Sequence, residues 1–124
     1  MPTLIACLLA GKGTWAEVNK IIQAQKWDHI YLITNDFGRD NFTSKPENAE
    51  FVLINTFKGT EDIIETIKKQ LHSKITDFEV ALNLASGTGK EHMAILESVL
   101  ELGLNFRLVT IDKENKINVL GLKY

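Results

Sequence analysis

Two glycine-rich loops that carry a lysine are the segments of this sequence whose residue types could do chemistry. They are Gly11-Lys12-Gly13-Thr14 and Ser86-Gly87-Thr88-Gly89-Lys90, and each directly precedes a predicted helix. Glycine lets backbone N–H groups approach an anion, and the N-terminus of a helix adds partial positive charge. A lysine at that end is unfavourable unless an anion binds there. Either loop alone is typical of a solvated turn, but the pair predicts a site for a phosphate-bearing ligand.

Neither loop matches the two best-known phosphate-binding motifs. A Walker A loop requires glycine where Leu84 stands and serine or threonine where Glu91 stands. The dinucleotide fingerprint is matched by Gly11, Gly13 and Ala16, but no acidic residue ends the following strand before Asp36. The sequence therefore indicates neither a P-loop nor a nicotinamide site, and we predict no cofactor.

Other polar residues fall near the same loops. Asn83 interrupts an apolar run, where an unpaired amide would cost about 1 to 3 kcal/mol, so it must bond either to the backbone of a neighbouring loop or to a ligand. Asn35, between Thr34 and Asp36, is expected to border the same crevice, although such residues commonly form turns after a strand. Trp15 could stack on a base, but packing against the next helix or a second subunit is the favoured interpretation.

Metal and thiol chemistry are not indicated. His29, His72 and His92 are scattered and lack metal-ligand spacing, so we predict no metal site. Cys7 is the single cysteine and lies in an apolar run, which favours a buried strand residue over a nucleophile. Because it cannot form an intramolecular disulfide, a reducing, cytoplasmic location is expected.

Length and composition limit the architecture and the partners. The 124 residues suit one domain, 1–124, with 44% apolar residues and no low-complexity segment. A net charge of −2 disfavours binding to duplex DNA, because that requires broad positive charge. No apolar stretch approaches the roughly 20 residues of a membrane span, so no membrane association is expected.

Strands and helices alternate along the sequence. Predicted strands cover Thr3–Ala10, His29–Thr34, Glu50–Asn55, Phe78–Ala85, Phe106–Ile111 and Ile117–Leu122, the last antiparallel. Helices are predicted from a Thr14/Glu17 capping box to about Gln25, after Gly59-Thr60 with an apolar stripe of Ile63, Ile64, Ile67 and Leu71, and from a Thr88/Glu91 capping box to Gly103. The third of these helices carries the apolar residues Met93, Leu96, Val99 and Leu100. The connection 35–48 shows no helical periodicity.

This alternation predicts an α/β fold: a three-layer, Rossmann-like domain with a mostly parallel sheet of about six strands in the order 3-2-1-4-5-6 and a C-terminal antiparallel hairpin. Ligands bind such sheets outside the carboxyl ends of the strands, where the strand order reverses, here between strands one and four. Both lysine-bearing loops follow those strands. The residues expected to bind the ligand are Gly11, Gly13, Thr14, Asn35, Asn83, Ser86, Gly87, Thr88, Gly89 and Lys90.

The segment Ala81-Leu82-Asn83-Leu84-Ala85-Ser86-Gly87-Thr88-Gly89-Lys90 and the helix after it resemble the CRISPR-associated Rossmann-fold (CARF) domain. The most specific element of the likeness is a strand that ends in Asn-x-x-Ser-Gly-Thr, followed by a lysine and a helix containing Met93. The resemblance covers nearly the whole chain. It implies a homodimer that binds a cyclic oligoadenylate, the messenger of type III CRISPR defence, across its two-fold axis. Neither Arg39 nor Arg107 is followed by the histidine of the HEPN ribonuclease signature, so a stand-alone protein is expected.

Such a protein could bind the messenger or also cleave it. By resemblance, ring nucleases of this family let the ribose 2′-OH attack the neighbouring phosphate, and Lys12, Lys90 and Ser86, with Thr88, are the candidates to stabilise the developing charge. No general base is evident in the sequence. The alternative is a nucleotide- or phosphate-binding regulatory Rossmann module unrelated to CRISPR. A structural subunit is a third interpretation and would need a large exposed apolar face.

Overall fold

Parallel strands joined by helices form most of the chain. The computed structural model describes residues 2–121, except for the side chain of Lys12. In order, the elements are β1 (Thr3–Cys7), α1 (Lys12–Ala24), β2 (His29–Thr34), α2 (Asp36–Asn41), β3 (Ala49–Leu53), α3 (Thr60–Leu71), β4 (Glu79–Asn83), α4 (Gly89–Glu101), β5 (Asn105–Ile111) and β6 (Ile117–Val119).

The six strands form one sheet in the order β3-β2-β1-β4-β5-β6. The first five strands are parallel to their neighbours, and β6 pairs with β5 in the antiparallel direction. The predicted fold class and strand order are therefore confirmed. The order reverses between β1 and β4, which puts the loops after these two strands side by side at the carboxyl edge of the sheet.

Helices cover both faces of the sheet, so the central strand is buried on both sides. Leu4, Ala6 and Leu8 pack in one core with residues of α1, while Ile5, Cys7 and Leu9 pack in the other with residues of α3 and α4. Alternate residues of a strand point to opposite faces, which is why β1 is a continuous apolar run.

Several predicted strands extend too far. β1 ends at Cys7 rather than Ala10, and β4 spans a shorter range than Phe78–Ala85. Residues beyond β1 remain apolar and buried, but the Leu9 backbone bonds to the Ser86 side chain instead of to a strand. The predicted end of the last strand, Leu122, lies outside the described residues.

The connection between β2 and β3 contains a helix that was not predicted. α2 has only six residues, too few to show an apolar stripe, and its N-cap Asn35 accepts a hydrogen bond from the Gly38 N–H. A Cβ atom at Gly38 would lie 1.8 Å from the Thr34 hydroxyl oxygen. Glycine therefore allows α2 to pack directly on the end of β2.

The predicted start of α1 is wrong. α1 begins at Lys12 rather than at a capping box, and the Thr14 hydroxyl donates back to the Gly11 carbonyl at 2.5 Å. Of the apolar residues named for α4, Val99 is buried and Leu96 packs against the core, but Met93 and Leu100 are 61% and 60% exposed. The rest of the buried face comes from other residues of α4, among them Ala94, Ile95 and Ser98. No helix of the described residues is long and apolar enough to cross a bilayer.

Candidate nucleotide site

A cavity of about 350 Å³ opens at the carboxyl edge of the sheet, at the strand-order reversal. Loops after four parallel strands contribute to its wall. The lining residues are Leu9, Ala10, Gly11, Trp15, Asn35, Phe37, Thr56, Phe57, Thr88 and Glu91. Both glycine loops thus reach one cavity, through Gly11 and through Thr88, at the place that the fold favours for a ligand.

The first glycine loop leads into the N-terminus of α1 beside this cavity. Gly11 is the N-cap residue, with a φ of 89° that favours glycine. No described side chain caps this end of α1, and no acidic residue lies in its first turn. Gly13 is exposed in the first turn, and Thr14 is half-buried there. The Thr14 N–H donates to the Gly11 carbonyl at 2.9 Å, so the N–H groups positioned to bind an anion next to Gly11 are those of Lys12 and Gly13.

The second glycine loop is different, because a carboxylate of the chain itself lies at the start of α4. Glu91 is only 6% exposed, and it accepts the Thr88 N–H at 2.9 Å and the Thr88 hydroxyl at 2.7 Å. The predicted capping box is present. Glu91 therefore holds the position that a phosphate would take at this helix end, and the two glycine loops are not equivalent anion sites.

Gly87 shapes the second loop through its backbone. Its φ is 98°, and a Cβ atom there would lie 2.7 Å from Cys7 Sγ and 3.3 Å from His92 Nε2. His92 Nε2 donates a hydrogen bond to the Ser86 carbonyl at 2.8 Å, since a carbonyl can only accept. His92 is half-buried, and this hydrogen bond holds the loop against the first turn of α4.

Ser86 joins the two glycine loops. Its hydroxyl is fully buried, accepts the Leu9 N–H at 2.9 Å and donates to the Leu9 carbonyl at 3.3 Å. The side chain lies beneath the cavity and does not line it. This geometry is that of a positioning residue, which fixes the β1 and β4 loops relative to each other.

Asn83 bonds to backbone at both ends of its amide. Its Nδ2 donates to the Val109 carbonyl at 2.8 Å, and its Oδ1 accepts the Ala85 N–H at 3.2 Å. These are the backbone partners that the sequence left open as one of two alternatives. Asn83 ties the end of β4 to β5 and so fixes where the second glycine loop starts.

Lys90 reaches across to the loop after β3. Its ammonium group donates to the Thr56 carbonyl at 2.9 Å, and Thr56 lines the cavity. Gly89, the first residue of α4, is exposed, and an added Cβ atom would meet nothing within 4 Å. Lys90 itself is not among the residues that line this cavity, and its ammonium group reaches only the backbone of Thr56, which is. The side chain of Lys12 lies outside the described atoms.

Trp15 packs as the favoured interpretation expects. Its ring centroid lies 5.9 Å from that of Phe37 and 6.1 Å from that of Phe42, and its Nε1 donates to the Leu9 carbonyl. Asn35, the N-cap of α2, lines the same cavity. The neighbouring Thr34 is buried and bonds to Leu8, and Asp36 forms an ion pair with Arg39.

A second, larger cavity of about 870 Å³ adjoins the first and was not predicted. The two share Asn35, Phe37, Thr56 and Phe57 as lining residues. Its other lining residues are Asp36, Leu53, Ile54, Asn55, Lys58, Asp62, Ile63, Glu65, Thr66 and Lys69. The signal in the sequence was Phe57, an aromatic residue in a polar loop that follows a parallel strand.

Cys7 lies under the second glycine loop as a buried, protonated thiol. Burial, with the Glu91 carboxylate nearby, raises the pKa of the Cys7 thiol from 9.0 to about 12. The thiol therefore stays protonated at neutral pH and is a poor nucleophile. Across the described part of the chain, no three His, Cys, Asp or Glu side chains are grouped so that they could share a metal ion.

No protein-family model matches the chain, and no curated protein matches it at significant similarity.

Proposed function

We propose that this protein binds a cyclic oligoadenylate at the carboxyl edge of its sheet, as a homodimer. The observation that carries the proposal is the cavity lined by both glycine loops next to the uncapped N-terminus of α1. The likeness of the Asn83–Lys90 segment to the CARF domain supports the choice of ligand. A phosphate-bearing nucleotide is the ligand class that these features favour.

The phosphate is assigned to the start of α1 rather than to both helix ends. No acidic residue lies in the first turn of α1, whereas the Glu91 carboxylate occupies the start of α4 and would repel a phosphate there. Lys90 bonds to the Thr56 carbonyl in the loop after β3, and Thr56 lines the cavity, so a positive charge lies behind that part of the wall. Each chain therefore contributes one phosphate-binding site, at the start of α1.

A ring ligand explains why two copies would act together. One chain offers a cavity of about 350 Å³ beside α1, whereas a two-fold axis brings two identical phosphate-binding sites to face each other. A cyclic oligoadenylate with an even number of units has the same two-fold symmetry.

Cleavage of the bound ring is the catalytic part of the proposal. The ribose 2′ oxygen forms a bond to its neighbouring phosphorus, the bond from phosphorus to the 5′ oxygen breaks, and the proton lost from the 2′-OH is balanced by one gained at the 5′ oxygen. The products end in a 2′,3′-cyclic phosphate and a 5′-OH. Lysine and N–H donors stabilise the charge that grows on the phosphate, and we expect the reaction to proceed in EDTA because the substrate supplies the nucleophile.

A mononucleotide-binding regulatory module is the second candidate. The observation in its favour is that the 350 Å³ cavity is formed within one chain and falls at the small end of ligand sites. Such a ligand would need no second copy.

Incubation with cyclic tri-, tetra- and hexa-adenylate separates these functions. Chromatography of protein-bound and released ligand should show retention of at least one ring, and cleavage should give linear products with 2′,3′-cyclic phosphate ends. Lys12→Ala and Lys90→Ala should then lower turnover more than binding. Retention without turnover would indicate a protein that senses or sequesters the ring but does not cleave it. If AMP is retained and no ring is, the regulatory module replaces the first proposal.

A further inference from the structure

Two exposed phenylalanines mark the boundary between the two cavities. Phe57 is 97% exposed and Phe37 is 55% exposed, and both line both cavities. Large apolar rings that face water beside a cavity are typical of ligand contacts, because the ring surface is removed from water only when a ligand binds.

The loop that carries Phe57 is held in place by hydrogen bonds. The Phe57 N–H donates to Asn55 Oδ1 at 3.0 Å, and the Lys58 N–H donates to the Asn55 carbonyl at 3.1 Å. The Lys90 ammonium binds the intervening Thr56 carbonyl. Phe57 is thus presented to solvent by an ordered turn, so a ligand would pay little conformational entropy to use it.

The larger cavity has a charge pattern that suits a base rather than a phosphate. Its charged lining residues are Asp36, Asp62 and Glu65 against Lys58 and Lys69. Carboxylates accept hydrogen bonds from amino groups and repel phosphates. The N-terminus of α1, which attracts a phosphate, lies at the smaller cavity instead.

We propose that the larger cavity is a nucleobase subsite, in which the Phe57 ring stacks on a base that carries an exocyclic amine. Phe37 forms a second apolar part of the lining. Asp36 and Glu65 are in ion pairs with Arg39 and Lys68, so the amine is assigned to the third lining carboxylate, that of Asp62. The inference rests on the proposed function for the position of the phosphate, which lies at the start of α1. In a cyclic oligoadenylate or in AMP, the stacked base is adenine.

Substitutions at Phe57 test this subsite by calorimetric titration. The probes are cyclic tetra-adenylate, AMP, IMP, which lacks the amine, and ribose 5-phosphate, which lacks the base. Phe57→Ala and Phe57→Leu should weaken binding of the adenine probes about tenfold, because stacking on a flat ring is lost. Phe57→Trp should retain binding, and the wild-type protein should prefer AMP to IMP. Phe78→Ala is the matched control, since Phe78 is 87% exposed and lines neither cavity.

The results distinguish failure of the subsite from failure of the proposed function. Binding of adenine probes that stays within twofold in Phe57→Ala overturns the subsite, and so does an equal loss for ribose 5-phosphate, which would indicate a structural role. If AMP binds in a Phe57-dependent way and none of cyclic tri-, tetra- and hexa-adenylate binds, the ring proposal fails and the subsite stands. If neither AMP nor any of the three rings binds at millimolar concentration, both proposals are wrong.

Discussion

The Glu91 carboxylate accepts both the N–H and the hydroxyl of Thr88, at 2.9 Å and 2.7 Å. A negative charge is thereby fixed at the N-terminus of α4, where it interacts favourably with the helix dipole and stabilises the helix. The same carboxylate lines the smaller cavity, so any phosphate that enters must remain at the α1 side. Two loops that look alike in sequence thus play different parts.

Glu91→Gln should strengthen binding of an anionic nucleotide several-fold, because the substitution removes a negative charge from the cavity wall. The same change should lower the free energy of unfolding by about 1 kcal/mol, as expected for a weakened helix cap. Calorimetry with cyclic tetra-adenylate and thermal unfolding measure the two effects. Glu114→Gln, in an exposed turn, is the control. Weaker binding in Glu91→Gln would mean that the carboxylate contacts the ligand directly.

Lys90→Ala should weaken binding of an anionic nucleotide by about 1.5 to 3 kcal/mol, the usual value for a lost charged hydrogen bond. Its thermal unfolding should change little, because the ammonium bonds to a loop carbonyl near the surface. Lys113→Ala removes an exposed lysine from a distant turn and serves as the control. Equal affinities of the two variants would show that Lys90 takes no part in binding the nucleotide.

The regular part of this fold could be predicted from the sequence, because buried strands and amphipathic helices alternate at a spacing that allows few topologies. The bounds of β2 and the start of α3 follow from local pattern and capping residues. α2 could not be predicted in this way, since its position depends on Gly38 packing against Thr34, a contact that requires β2 and α2 to be in place.

The candidate site was predictable in position but not in detail. The sheet edge follows from strand order, and the glycine loops follow from composition. That Asn83 and Ser86 would bond to backbone and that Lys90 would reach Thr56 depends on residues 26 to 77 positions away. Spacing along the chain carries no information about such contacts.

Gly87→Ala should destabilise the protein by about 1 to 3 kcal/mol. Its φ is 98°, and the added methyl group would lie 2.7 Å from Cys7 Sγ. Gly89→Ala is the matched control two residues later, where an added Cβ atom meets nothing within 4 Å, and it should leave the stability unchanged or slightly raised. Chemical denaturation of both variants gives the comparison. Equal stability of the two variants would contradict the described loop geometry.

The stability of the wild-type protein should fall at high pH in part through Cys7. Its pKa is raised from 9.0 to about 12 in the folded state, so the unfolded chain ionises first. The protonated thiol therefore contributes fully to the free energy of unfolding below about pH 9. This contribution is lost as the pH rises toward 12, by about 1.4 kcal/mol per pH unit. The slope of the free energy of unfolding against pH, from 9 to 11, should be shallower for Cys7→Ala than for wild type. Parallel curves would show that the thiol does not titrate as described.

Calorimetric titration of the wild-type protein with cyclic tri-, tetra- and hexa-adenylate tests the central claim most directly. We expect at least one of these rings to bind with micromolar or tighter affinity and a stoichiometry of one ring per two chains, and sedimentation of the complex should give the mass of a dimer. No heat of binding from any ring, with a protein that remains monomeric at micromolar concentration, would contradict the account.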